Sequence, residues 1–234
     1  MKLLDLKLVR NEGAELLEFT VKRMVNAGYV GRDRQAVLAH IEELRREGVP
    51  PPPSVPMVFP VLSHNITAAG HIEVVGRKTS GEAEYVLLLD QGRVFVGVGS
   101  DHTDRELEAY SIVQSKQVCC NVLSPEVWDF EDVKAVWDEL QLESWVRQSG
   151  SDAEILYQSA SLASIISAGE ILDLVRSRLA GGLTDGLVIY SGTVPILSEQ
   201  MIYGNHFRCE LRDPAAGRSL RCEYEIQVLD YVKG

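Results

Sequence analysis

Gly81-Glu82-Ala83-Glu84-Tyr85-Val86-Leu87-Leu88-Leu89, followed after Asp90-Gln91-Gly92 by Arg93-Val94-Phe95-Val96-Gly97, reads as two β-strands joined by a tight turn. Side chains alternate faces along a strand, so Glu82 and Glu84 share one face. Antiparallel pairing across the turn brings Asp101, where the second strand runs out, to the same end. Three hard oxygen ligands with no cysteine or clustered histidine suit Mg²⁺, Mn²⁺ or Ca²⁺ better than Zn²⁺ or copper. A Glu-x-Glu pair is equally the ordinary solvated face of an edge strand, so spacing alone leaves both readings open.

The motifs that follow add to this one. Glu82-Ala83-Glu84, Ser100-Asp101-His102-Thr103-Asp104-Arg105, Ser115-Lys116 and Ser191-Gly192-Thr193 occur in that order. Together they resemble the fumarylacetoacetate hydrolase family, of which the chain looks like a divergent member. That family shows Glu-x-Glu, Asn-Asp-x-Ser-x-Arg-Asp, a Lys in a Ser/Ala-Lys-x-Phe context and Gly-Asp-x-Ile-x-Thr-Gly-Thr-Pro. The likeness runs from about Val55 to the C-terminus. It departs at Ser100, where the family has Asn, and at Thr184-Asp185-Gly186, where Asp and Gly are reversed. Val194 also stands where the family has Pro.

The resemblance implies roles for particular residues. Glu82, Glu84 and Asp101 would hold Mg²⁺ or Mn²⁺, with Ca²⁺ as a third candidate. Lys116 would be the catalytic cation beside the ion. Arg105 would anchor a substrate carboxylate, or else form a structural ion pair, while Thr193 and Gln158 would face the substrate. A catalytic His is expected among His64 and His71, which precede the metal pair; His102, beside Asp101, either packs or acts as an acid–base group. The implied activity is metal-dependent hydrolysis of a C–C bond in a small 2-oxo or β-diketo acid. Decarboxylation, hydration or isomerisation of the same substrates, or non-catalytic ligand binding, are the alternatives. A homodimer is implied by the same resemblance.

Composition bounds the partners. Of 234 residues, 23 are basic and 34 acidic, for a net charge of −11 without a basic cluster, so neither nucleic acid nor an anionic membrane is an expected partner. Cys119, Cys120, Cys209 and Cys222 lack metal-finger spacing, which points to a reducing cytoplasm. Asp5 and Lys7 interrupt the apolar N-terminus, so it reads as neither a signal peptide nor a membrane span. A Gly-x-Ser-x-Gly nucleophile motif and a dinucleotide fingerprint are both missing.

The rest of the chain supplies the frame. Residues 1–49 read as a small β-β-α unit: Leu3 to Val9, a turn at Asn11-Glu12-Gly13, Leu16 to Val21, then a helix Arg34 to Glu47 capped by Asp33, with Val37, Ile41 and Leu44 as its stripe. Pro50 to Pro53 and Pro56 mark a boundary, and 55–234 read as the metal-binding domain. Ser124-Pro125-Glu126 predicts a helix running to Leu140. Leu142 to Arg147 and Glu154 to Tyr157 read as strands, and Ser167-Ala168-Gly169-Glu170 as a capping box opening a helix to about Leu179. Phe207 to Leu211 and Leu220 to Leu229 read as a closing hairpin. Many short strands with few helices predict an α+β, β-rich fold, a mixed β-roll or barrel with peripheral helices, which is also the fold the resemblance implies.

Overall fold

A computed structural model describes residues 1–10, 13–46 and 51–232. The expected turn at Asn11-Glu12 and the helix stop at Glu47-Gly48 lie outside the described residues. Ala83–Asp90 and Arg93–Asp101 form the expected antiparallel pair, with Glu84 opposite Gly99 and Asp90 opposite Arg93. They sit in the middle of a ten-stranded sheet. Leu187–Tyr190 lies against Ala83–Asp90, and Arg23–Gly28 pairs parallel with Leu187–Tyr190. On the other flank the order is Arg93–Asp101, Glu126–Asp129, Lys2–Arg10 and Gly13–Val21. The hairpin of the first 21 residues therefore extends the same sheet that carries Glu84.

The sheet curls into a half-barrel, and its central strands are apolar on both faces because both are covered. Val86, Leu88, Val188, Tyr190 and Phe95 point inward, where Leu4, Leu6, Leu8, Phe19 and Val21 of the N-terminal hairpin close over them. Tyr85, Leu87, Val96, Val98 and Ile189 point outward, onto Phe207, Cys209, Leu211, Leu220 and Tyr224 of a second sheet. That second, five-stranded sheet runs Glu154–Ser161, Gln141–Arg147, His206–Asp213, Arg218–Val228 and His71–Val74. Fully burying each large apolar side chain contributes roughly 1.5–3 kcal/mol, so two continuous apolar layers hold the central strands rigidly. All four cysteines are free thiols. Among the described residues no helix is long and apolar enough to cross a membrane.

The helix predicted for Ser124 to Leu140 is absent. Glu126–Asp129 is instead a strand, parallel to Lys2–Arg10 through Lys7 and Leu8 and antiparallel to Arg93–Asp101 through Trp128 and Val96. The Ser124 hydroxyl is not free to cap a helix, since it accepts from the Val98 amide at 3.2 Å and donates to the Glu126 carbonyl at 2.7 Å. Two 3₁₀ turns, Phe130–Asp132 and Lys134–Glu139, follow. They set Trp137 edge-on against Tyr85 at 4.9 Å and Phe130 at 5.5 Å. An open strand position in the sheet overrides local helix propensity here.

Other expected elements are present. Asp33 accepts from the amides of Gln35 and Ala36 ahead of the helix Arg34–Arg46. Ser167 and Glu170 cap the helix Ala168–Arg178 reciprocally. The closing hairpin pairs His206–Asp213 with Arg218–Val228.

Candidate metal centre at the mouth of the half-barrel

Strand register gathers the site. Tyr190 pairs with both Val86 and Asn26, and Asn121 pairs with Asp101. Partners across a sheet point the same way, so Asn26, Glu84, Asp101 and Asn121 share the inner face at one end of the half-barrel. Glu82 lies just before its strand, where its carbonyl accepts from the Asp101 amide at 3.1 Å. The Glu82 amide in turn donates to the Ser100 hydroxyl at 3.2 Å. One carboxylate oxygen from each of Glu82, Glu84 and Asp101 lies within 4.8 Å of the others. Glu84 and Asp101 are buried and Glu82 is partly exposed, which leaves the group open on one side.

Two cations and one loop hold these carboxylates. The Lys116 ammonium, on the helix Ile112–Val118, is buried in contact with Asp101 and lies 5.8 Å from the centre of the Phe59 ring. Arg105 donates to the Ser80 hydroxyl at 2.7 Å and to Glu108 at 2.8 Å, and its remaining terminal nitrogen lies 3.1 Å from Glu82. The Gly192 amide donates to Glu84 at 2.8 Å. Gly192 has φ of +86°, and a Cβ there would stand 2.5 Å from Val30 Cγ2, so only glycine brings this amide so close. Asn121 Nδ2 lies 3.5 Å from Asp101 and 3.4 Å from Asn26 Oδ1, extending a buried polar chain behind the aspartate.

The electrostatics fit a cation. Burial, and then the Asp101 charge, push the Glu84 carboxyl well above the ordinary carboxylate range. Burial would also raise Glu82, but Arg105 and Lys116 outweigh it and hold Glu82 below that range. Burial opposes charge on Lys116, yet Asp101, Glu82 and Glu84 raise its pKa above the ordinary lysine value. Three crowded carboxylates with one strongly destabilised as an anion form a hard-oxygen donor set whose repulsion a divalent ion relieves. A second acidic group, Glu154, His206 and Glu223, differs: Arg208 lies 2.6 Å from Glu154 and Arg221 2.5 Å from Glu223, so arginines already balance it.

The other expected site residues fall into three groups. Gln158 and Thr193 lie beside the triad but bond to the frame. The Gln158 amide nitrogen donates to Thr193 Oγ1 at 2.7 Å and the Val194 carbonyl at 2.6 Å, while its oxygen accepts from the Ala83 amide at 3.0 Å and the Ser144 hydroxyl at 2.8 Å. Thr193 donates to the Ala83 carbonyl at 2.8 Å. These bonds tie the loop carrying Gly192 to the strand carrying Glu84. His102 is buried with Nδ1 2.9 Å from the Tyr224 hydroxyl, and its Nε2 has no partner. Burial, then Arg105, lower its pKa to about 3, so it is a neutral packed imidazole at neutral pH. His64 is exposed in a turn and His71 is exposed on the strand His71–Val74.

Sequence reading missed Asn26, Asn121, Tyr29 and Glu108. Asn26 and Asn121 are polar residues inside short apolar strands, a signal that is visible but unspecific. Glu108 ends the turn of helix Arg105–Glu108 that Asp104 caps. Burial and the Glu82 charge raise its pKa against the pull of Arg105. Tyr29 has φ of +58°, a left-handed conformation that is strained for a bulky side chain. Burial, then the Glu108 charge, raise its phenol pKa while Lys116 opposes.

A curled half-barrel backed by a five-stranded sheet, with this carboxylate-lined mouth, is a fumarylacetoacetate hydrolase-like fold. Similar solved structures include a 2-keto-3-deoxy-D-arabinonate dehydratase complexed with magnesium and 2,5-dioxopentanoate, 16% identical with TM-score 0.62 over 94% of this chain and 78% of that one. A 5-carboxymethyl-2-hydroxymuconate delta-isomerase from Mycobacterium smegmatis is 13% identical, with TM-score 0.63 over 94% and 82%. A fumarylacetoacetate hydrolase from the psychrophile Exiguobacterium antarcticum is 17% identical, with TM-score 0.59 over 94% and 80%. Residues 27–224 match the model of the family described as "Protein of unknown function (DUF2848)", and the chain belongs to that family. No curated protein matches the sequence.

Proposed function

We propose that the protein is a divalent-metal-dependent enzyme that breaks a C–C bond in a small 2-oxo or β-diketo acid. The observation that carries this reading is the open triad of Glu82, Glu84 and Asp101, with Glu84 strongly disfavoured as an anion until a cation joins it. Glu82, Glu84 and Asp101 would hold Mg²⁺ or Mn²⁺, which would supply Lewis-acid polarisation of a carbonyl oxygen. Support also comes from the magnesium and oxo-acid ligand of the similarly folded dehydratase.

The chain's own residues orient and screen. Gly192 and Gln158 fix Glu84 in place, and Arg105 fixes Glu82. Lys116 offsets the charge of Asp101 and presents its ammonium where negative charge develops on the substrate. Hydrolysis needs a base for water. The His102 Nδ1 is engaged with the Tyr224 hydroxyl at 2.9 Å, and hydrolysis and a lyase version of the same C–C cleavage both fall within this reading, to be separated by the substrate panel.

The test is a substrate panel of acylpyruvates, oxaloacetate and 4-hydroxy-2-oxo acids, assayed with Mg²⁺ or Mn²⁺ and after chelation. Turnover that is abolished by chelator, restored by metal and lost in Glu84→Gln supports the reading. Binding of 2-oxo acids without turnover of any panel member would replace it with a non-catalytic ligand-binding role.

A further inference from the structure

Glu82 is held differently from the other two carboxylates, and this bears on how the proposed metal site is built, an inference that rests on the metal-site reading above. The strand carrying Glu84 begins at Ala83, opposite Ser100, so Glu82 lies one residue outside it. Regular antiparallel exchange between Glu82 and Asp101 would send two backbone hydrogen bonds across the pair. The Asp101 amide does donate to the Glu82 carbonyl, at 3.1 Å. The Glu82 amide turns instead to the Ser100 hydroxyl, at 3.2 Å. One side chain thus stands in for a bond of the ladder at a ligand residue. The approach to Glu82 also rests on the second sheet: a Cβ on Gly81 would stand 2.7 Å from atoms of the Phe207 ring.

The Ser100 hydroxyl is anchored in turn. It lies 2.8 Å from the Tyr224 hydroxyl, which lies 2.9 Å from His102 Nδ1. All three residues are buried, and Tyr224 stands on the second sheet, paired with Phe207. Counting hydrogens gives this row of bonds a direction, since a hydroxyl carries one hydrogen and a neutral imidazole one N–H. If Ser100 donates to Tyr224 and Tyr224 to Nδ1, both hydroxyl hydrogens have acceptors. The single group left over is the Nε2–H of His102, and Nε2 has no partner. If the row is reversed, Nδ1–H donates to Tyr224 and Tyr224 to Ser100. The Ser100 hydrogen then has no acceptor, and Nε2 still has no donor. An unpaired buried polar group is costly, so the arrangement with one of them prevails over the arrangement with two.

We infer that Tyr224 is a positioning residue for the metal centre: from the second sheet it orients the Ser100 hydroxyl, which sets the backbone of Glu82 at the open side of the triad. The row runs from the Glu82 N–H to Ser100, from Ser100 to Tyr224 and from Tyr224 to His102, which is held as its Nε2–H tautomer. Arg105 steadies the Glu82 carboxylate separately, at 3.1 Å, so loss of the Tyr224 hydroxyl weakens the site without abolishing it.

The experiment has two arms. In the metal-free protein, ¹⁵N NMR reads the His102 tautomer: Nδ1 should show the shift of an unprotonated ring nitrogen and Nε2 that of a protonated one. Tyr224→Phe should also move the Glu82 amide resonance, although the two residues are joined only through Ser100. In calorimetry, Tyr224→Phe and Ser100→Ala are each expected to bind Mn²⁺ about tenfold more weakly than the parent, the scale for a residue supporting a metal ligand. The double variant should bind no more weakly than Ser100→Ala, because both substitutions act through one row of bonds. Parental Mn²⁺ affinity in folded Tyr224→Phe, or single losses that multiply in the double variant, overturns the inference and leaves the metal site standing. A parent that binds no Mn²⁺ overturns the metal-site reading and the positioning role together. An Nδ1–H tautomer in the unaltered protein, a result independent of metal and of whether the variants fold, overturns the inference alone.

Discussion

Replacing Gln158 by leucine removes the side chain that couples the Glu84 strand to the Gly192 loop while keeping roughly the same volume. The glutamine makes four hydrogen bonds, at 3.0 Å from Ala83, 2.8 Å from Ser144, 2.7 Å to Thr193 and 2.6 Å to Val194. Thr193 keeps its bond to the Ala83 carbonyl, and the Ser144 hydroxyl can rotate. The Ala83 amide and Val194 carbonyl lose their side-chain partner, and each unpaired buried group costs about 1–3 kcal/mol. Leucine's apolar burial offsets about 1–2 kcal/mol of this. Taken at mid-range, the net expectation is a loss of about 2.5 kcal/mol, or about 5–10 °C in Tm for a chain of this size. Urea unfolding followed by fluorescence measures it. The same variant should bind Mn²⁺ at least about tenfold more weakly, because the loop that delivers the Gly192 amide to Glu84 is released. A Gln158→Leu protein within about 0.5 kcal/mol of the parent and with unchanged Mn²⁺ affinity would refute the reasoning.

Gly192→Ala should be destabilised by at least about 2 kcal/mol, from left-handed strain and the approach to Val30, and should lose metal affinity in calorimetry. The raised Glu84 pKa means that the folded, metal-free protein holds that proton more tightly than the unfolded chain. Its stability, read from urea midpoints, should therefore rise as pH falls from neutrality towards the ordinary carboxylate range near about 4.3; Glu84→Gln or added Mn²⁺ should flatten that slope. At still lower pH the trend reverses, because Glu82, whose pKa is depressed, loses its stabilising charge. His102→Leu should cost less than about 1 kcal/mol and leave Mn²⁺ binding unchanged, since it deletes an unpartnered buried nitrogen and Tyr224 keeps its bond to the Ser100 hydroxyl at 2.8 Å. A large loss of metal affinity in that variant would place the imidazole at the site after all.

Strand alternation and the tight turn at Gly92 set Glu82, Glu84 and Asp101 near one another, but that spacing fits an ordinary acidic strand face equally well; the resemblance carried by the ordered motifs singled the three out, and the strand itself begins at Ala83, with Glu82 just before it. The capping box at Ser167 and the closing hairpin were legible because each depends on residues near one another in the chain. What spacing could not supply was long-range partnership. Ser124-Pro125-Glu126 has a good helix start, yet strands from residues 2–10 and 93–101 leave a slot that Glu126–Asp129 fills. Gln158 looks like a substrate contact by position, and only the meeting of Ala83, Ser144 and the 193–194 loop around it shows that its bonding capacity is used by the frame. Asn121 and Glu108 carry no local motif: strand pairing sets Asn121 opposite Asp101, and Glu108 is linked to Glu82 only through the Arg105 fork.

Calorimetric titration of chelator-stripped protein with Mn²⁺, with and without oxalate, tests the central claim most directly. The account predicts one ion per chain, tighter binding when oxalate is present, and no binding in Glu84→Gln. Absence of saturable binding by a folded protein, or binding that survives Glu84→Gln unchanged, would contradict it and make Glu82, Glu84 and Asp101 a structural acidic cluster.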